Sequence, residues 1–378
     1  MVKTEKLLCD LIALPSVNPA FLPAGDPLGG EQRVADFLAD RAAKAGLEVE
    51  FRSVLPDRSN LWVRLSPSGK VKQRVLLAPH LDTVGGAEVS GELFTPRIQH
   101  GRLYGRGACD TKGSVAVMFA ALCELAASAP RPTHTEIIFA GLVDEECVQA
   151  GSRAVVESGL KADLAIVGEP TGLKIVTAHK GVLWLKLETR GKAAHGARPE
   201  LGRNAVHAMA RIVDRLETHY AARLRRRKHP LLGHPTINVG SIQGGRQPNI
   251  VPAECVSSID RRTLPGETDA QVMQEIGNML ARARLSAKMT RTQEGSCFPL
   301  ETNARLSLVR QFLQQAGQHK PAGVDFFSDA GVLSHGRIPS VVFGPGDIAQ
   351  AHTPDEWISL KQLDPAKDLL LRFLRSLP

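Results

Sequence analysis

Apolar residues run along the chain in two textures that change near residue 175. Leu7, Leu8, Leu11 and Ile12 recur at helical spacing with charges between them, which predicts an amphipathic first helix. Residues 75–78 form a short apolar strand that stops at Pro79-His80, and 114–125 is small and apolar, as a buried helix is. Residues 136–143 predict a strand running into Asp144-Glu145-Glu146, and 162–167 another running into Gly168-Glu169-Pro170. Strands alternating with helices predict an α/β sheet covered by helices.

Beyond 175 the pattern is different. Residues 174–188 predict one strand, with Val182, Trp184, Lys186 and Glu188 on one face. Val206, Met209, Val213, Leu216, Tyr220 and Leu224 recur every three or four residues, so 203–224 reads as a long amphipathic helix. Strands follow at 236–242 and 255–261, and a second helix at 268–283. From about 290 the first texture returns, with a strand at 340–343 and a closing helix at 364–377. The expected organisation is a discontinuous domain of residues 1–174 and 290–378, interrupted by an α+β domain of residues 175–289.

Composition adds limits. A chain of 378 residues exceeds what one core usually holds, in keeping with two domains. It has no run of 18 apolar residues, so no membrane span is expected. The charged first helix is unlike a signal peptide, and a cytoplasmic enzyme is the simplest expectation. The cysteines at 9, 109, 123, 147, 255 and 297 form no Cys-x-x-Cys pair; they are expected to be reduced and mostly buried, with no thiolate zinc site. The net charge of +8 gathers at Arg223, Arg225, Arg226, Arg227 and Lys228, which reads as a solvated helix end. No aromatics interleave these charges, so a nucleic-acid partner is not expected.

The candidate chemistry lies just after the apolar strands, where open α/β sheets build their sites. In PHLDTV, His80 and Asp82 point the same way on an extended segment, so the carboxylate could fix the imidazole tautomer of a metal-bound His80; a hydrogen-bonded scaffold histidine is the alternative. GRGACDTKG (105–113) lacks the third glycine of a dinucleotide loop, because Asp110 stands there. Asp110 is then either an N-cap for the next helix or a carboxylate shared by two cations. At a buried strand end, Asp144, Glu145 and Glu146 would repel strongly unless a cation neutralised them. Glu169 adds one more acid, and His352 lies in the Gly/Pro-rich loop GPGDIAQAHTPDEW. Histidines with carboxylates and no thiolate suit zinc, manganese or cobalt in a hydrolytic site.

Together PHLDTV, GRGACDTKG, VDEEC, GEP, GKAAHGARP and AHTPDEW resemble, in order and spacing over nearly the whole chain, the M20 family of metal-dependent aminoacylases, deacetylases and carboxypeptidases. The nearest likeness is to the acetylornithine deacetylase and succinyl-diaminopimelate desuccinylase groups. The resemblance implies a di-zinc α/β catalytic domain with an inserted lid domain that dimerises, and so a homodimer. It implies that Asp110 bridges the metals, that His80 and Glu169 complete one, and that Glu146 and His352 complete the other. Asp82 is implied as the partner of His80, Glu145 as the general base acting on a metal-bridged hydroxide, and His195 as an oxyanion donor from the neighbouring subunit's lid. Asn249, in QPNIVPAEC, and Arg262, in DRRTLPGE, are implied as clamps for a substrate carboxylate, with Arg261 as a rival to Arg262. Within the family, glutamate at the position of Glu169 goes with deacylases, so the expected substrate is a small N-acyl amino acid. A metallo-carboxypeptidase or dipeptidase is the alternative.

Overall fold

The computed structural model describes residues 3–85, 90–128 and 131–378. The chain divides into two compact units: Met1–Thr177 with Glu301–Ala322 and Ser328–Pro378, and Ala178–Leu300 with Gly323–Phe327.

The first unit is built on a sheet whose neighbours run Glu48–Leu55, Arg58–Leu65, Thr135–Gly141, Gln73–Pro79, Leu164–Gly168, Ser340–Val342. The last four are mutually parallel, so their carboxyl ends emerge along one edge. Every residue of Thr135–Gly141 and Leu164–Gly168 is buried, as expected of parallel strands covered on both faces. Val75, Leu77, Ile137, Phe139 and Ile166 share one core with the helices Thr4–Ile12, Lys112–Ala127 and Leu360–Arg375. Helix Lys112–Ala127 is apolar nearly all round because it is buried nearly all round. Phe119 on this helix meets Phe139 edge-on, with ring centroids 5.6 Å apart.

The second unit is an antiparallel sheet in the order Thr236–Gly244, Glu254–Thr263, Gly181–Arg190, Lys288–Arg291. Leu183, Leu185, Leu187 and Ile259 of the sheet pack with Met209, Leu216, Tyr220 and Leu224 of the long helix and with Val272, Ile276 and Leu280 of helix Asp269–Arg282. Thr268 and Gln271 form a capping box at the start of that helix.

Four expectations need correction. The strand read over 174–188 is two, Val176–His179 and Gly181–Arg190, because the first pairs in the large sheet and the second in the four-stranded antiparallel one. The helix read over 203–224 begins at Ala205, with Asn204 as its cap, and passes through a π-turn at Leu216–Tyr220; that turn keeps Leu216, Tyr220 and Leu224 buried. The cysteines are not mostly buried: Cys109 and Cys255 are, Cys9, Cys123 and Cys297 are partly so, and Cys147 is exposed. In the basic cluster, Arg227 donates to Glu275 at 2.6 Å and also binds Glu267, so it is paired rather than only solvated.

Candidate metal centre

The carboxyl ends of the parallel strands carry the site. His80 directly follows Gln73–Pro79, the turn 144–146 follows Thr135–Gly141, and Glu169 follows Leu164–Gly168. Gly168 lets these ends close up: a Cβ there would lie 2.8 Å from Ser114 Cβ and 2.9 Å from Pro79 Cβ. Loop 105–110 enters from the amino end of helix Lys112–Ala127, and Gly107 adopts a positive φ of 81° within it. Thr111 caps this helix by position, its hydroxyl donating to the Gly168 carbonyl at 2.8 Å and not to the helix, and Asp110 is free of capping duty.

Asp110 instead faces two histidines. Its Oδ1 lies 3.1 Å from His80 Nε2 and its Oδ2 lies 3.2 Å from His352 Nε2. Glu169 Oε1 is 3.8 Å from the same His80 nitrogen, and Glu146 Oε2 is 3.2 Å from the same His352 nitrogen. Two potential ligand groups result, His80–Asp110–Glu169 and Asp110–Glu146–His352, with Asp110 common to both. His80 and Glu169 are buried, whereas His352 is about half exposed and forms the open side of the centre.

The donor set fits cations. Glu146 Oε1 and Glu169 Oε1 are buried, yet neither has a hydrogen-bond partner among the described residues. Buried carboxylates without partners are costly unless something positive meets them. Burial first, and then neighbouring acids, push the Glu145 and Glu169 carboxyls well above their ordinary range, and Glu146 up to about 7. Hydrogen bonds donated to Asp110 and then to Glu146 push His352 up to about 10. Burial opposes charge on His80, but Asp110 and Asp82 outweigh it and hold that imidazole well above its usual value. The apo cluster thus retains protons that divalent cations would replace.

Asp82 ties the cluster together. Its carboxylate accepts from the Glu145 amide at 3.1 Å, the Glu146 amide at 3.1 Å and Asn18 Nδ2 at 2.8 Å. His80 Nδ1 lies 3.0 Å from the Asp82 carbonyl and 3.4 Å from Asp82 Oδ1, so both backbone and carboxylate orient the ring. The three consecutive acids separate: Asp144 turns to Arg58 at 2.9 Å, while Glu145 and Glu146 stay with the centre.

Two supports escape sequence reading. Glu356 accepts from the backbone amides of Gly107, Cys109 and Asp110 at 2.8–3.0 Å and from Arg106 Nη1 at 3.0 Å, so it fixes the loop that carries Asp110. Glu31 and Arg58 form the second support. Glu356 does sit in AHTPDEW, but nothing local in that motif reveals a partner some 250 positions away.

The remaining candidates lie in the second unit. His195 is exposed, and its Nδ1 accepts from the Ala197 amide at 3.1 Å. The Gly196 amide donates to the Asn249 carbonyl at 2.7 Å, which brings these two motifs together. Arg261 is fully buried and donates to Glu267 at 2.7 Å, a structural role. Arg262 points to the other face, half-exposed, with two bonds to Asp260 at 2.9 and 3.1 Å.

The model of peptidase family M20/M25/M40 matches residues 76–376. The chain is 33% identical over 353 residues to an acetylornithine deacetylase of Myxococcus xanthus, covering 89% of this chain and 90% of that protein. It is 30% identical over 373 residues to an acetylornithine deacetylase of Edwardsiella ictaluri, covering 96% and 95%. The fold is similar to that of an M20 metallo-carboxypeptidase from Sulfolobus solfataricus, with a TM-score of 0.78 at 20% identity over 99% of both chains. It is also similar to a dinuclear metal-binding M20 peptidase from Bacillus subtilis, with a TM-score of 0.71 at 14% identity over 98% of this chain and 96% of that one.

Proposed function

The chain belongs to peptidase family M20/M25/M40, a family of metal-dependent hydrolases, and on that premise we propose that it cleaves the amide bond of an N-acyl amino acid as an acetylornithine deacetylase does. The observation that carries this reading is the pair of ligand groups that share Asp110. Zinc is the proposed metal, one ion for each group.

Two such cations would polarise the amide carbonyl and make a water molecule acidic enough to lose its proton near neutral pH. Glu145 takes that proton and returns it to the leaving amine. Its raised affinity for protons suits both halves of the transfer. Asp82 keeps the turn of Glu145 and Glu146 in place through their amides. His195, contributed by the inserted domain of a neighbouring subunit, donates to the oxyanion of the tetrahedral adduct. Asn249 and Arg262 hold the substrate's α-carboxylate, for which Arg262 would exchange Asp260. The inserted unit, spanning about residues 175–289, acts as lid and dimer contact, and the enzyme works in the cytoplasm.

A substrate panel tests the reading. N-acetylornithine, N-succinyl-diaminopimelate and N-acyl-glutamate are compared with short dipeptides on zinc-, cobalt- and manganese-loaded enzyme. Faster turnover of an N-acyl amino acid supports deacylation; faster turnover of dipeptides makes the enzyme a peptidase on the same scaffold.

A further inference from the structure

Three acids stand side by side at 144–146, yet only two of them belong to the centre. Asp144 adopts a positive φ of 70°, which turns its side chain away from those of its neighbours. Its Oδ1 accepts from Arg58 Nη1 at 2.9 Å and from Asn18 Nδ2 at 3.0 Å, and its amide donates to Glu31 Oε1 at 3.2 Å. Arg58 grips Glu31 with both arms of its fork, at 2.9 and 2.5 Å. Side-chain exposure is 12% for Arg58, 2% for Glu31 and 3% for Asp144, so this is a buried assembly. Two residues along the same strand, Asn60 accepts from the Val143 amide at 3.1 Å and donates to the Gly151 carbonyl at 2.8 Å. The turn is therefore gripped from outside by Glu31, Arg58 and Asn60, and from inside by Asp82.

We propose that Arg58, locked to Glu31, is a positioning residue for the metal centre: by drawing Asp144 out of the acid triplet it holds the turn that aims Glu145 and Glu146 inward. The proposal rests on Glu146 being a metal ligand. Its consequence is asymmetric. Without the guanidinium, two buried carboxylates face each other uncompensated, and the turn relieves this by rotating. That rotation displaces Glu146 and Glu145. His80 and Glu169 follow other strands and bond to no member of the assembly except through Asp82, so the ion they hold is spared.

The test is a zinc titration of the metal-stripped full-length protein, followed by calorimetry. Arg58→Met removes the charge. Arg58→Lys keeps the charge, loses the planar fork and secures a folded variant. In Arg58→Met one zinc equivalent is expected to weaken about 10–100-fold while the other stays within about twofold, and kcat falls over the same range with KM nearly unchanged; Arg58→Lys shifts the same equivalent by less, because its charge still faces the two carboxylates. Two unchanged equivalents, or two equivalents weakened alike, would overturn the proposal. A wild-type chain that binds only one equivalent contradicts the dinuclear reading itself, before any variant is compared, and the proposal falls with it.

Discussion

Glu145 and Glu146 are neighbours with different work, and substitution separates them. Glu145→Gln keeps the shape and removes the proton acceptor. Turnover should fall about 10²–10⁴-fold with both metals retained, read by steady-state kinetics and elemental analysis. Near-wild-type turnover would remove Glu145 from the mechanism. A second expectation at this scale concerns pH. His352 is raised to about 10, so its imidazole holds a proton in the metal-free protein at neutral pH, and the neighbouring carboxylates Asp110 and Asp82 favour a proton on His80 as well. Glu146, raised to about 7, is still partly protonated there. A metal needs neutral imidazole and ionised carboxylate, so binding expels protons and affinity climbs as pH rises across the neutral range. Calorimetry in buffers of different ionisation enthalpy measures the protons released; zero release would contradict the assigned ligands. The candidate ligands stand out in the sequence because few residue types bind divalent cations and because His80, Glu146 and Glu169 come just after apolar strands, whereas Asp110 and His352 lie in loops that only the family resemblance marks. Arg58 and Glu31 were not legible. An arginine opening a strand and a glutamate before a helix look like surface charges until the fold buries them together.

At the scale of elements, loop 105–110 hangs on one residue far away in sequence. Glu356 is buried and takes three backbone amides and the buried Arg106. Glu356→Ala leaves Arg106 uncompensated and should cost about 3–5 kcal/mol of stability, measured by chemical denaturation. Because the loop carries the shared Asp110, the same variant should weaken both metals, in contrast to Arg58→Lys. Stability and affinity both unchanged would show that the loop holds itself. The strands and helices of this region follow directly from apolar runs, since a fully buried strand or helix has no polar face to confuse the pattern. The break at Lys180 and the π-turn at Leu216–Tyr220 were hidden, because apolar spacing continues through both; what changes is the backbone partner. Arg261 and Arg262 show the same point on a strand. Adjacent positions face opposite ways, and only the register with the neighbouring strand decides which one is buried.

At the scale of the whole molecule, the chain interleaves two units, and the proposed mechanism asks the second to serve a neighbouring copy. Complementation tests this directly. Glu145→Gln and His195→Ala should each be nearly inactive alone. Mixed and allowed to exchange subunits, they form hybrids in which one site has an intact Glu145 and receives an intact His195 from its partner. Activity should recover to a sizeable fraction of the wild type. No recovery despite demonstrated exchange would place His195 and Glu145 of one chain in the same site, or remove His195 from the reaction. The change of texture near 175 lies close to the division between the units at Thr177–Ala178, because a half-exposed antiparallel sheet alternates where a covered parallel one does not.

Five side chains are proposed to hold two metal ions, one on either side of Asp110. Anomalous diffraction from zinc-loaded crystals, collected at the zinc edge, tests this most directly. Two peaks about 3.5–4 Å apart are expected, with Asp110 between them, His80 and Glu169 on one and Glu146 and His352 on the other. A single peak, or two peaks of which Asp110 touches only one, would contradict it.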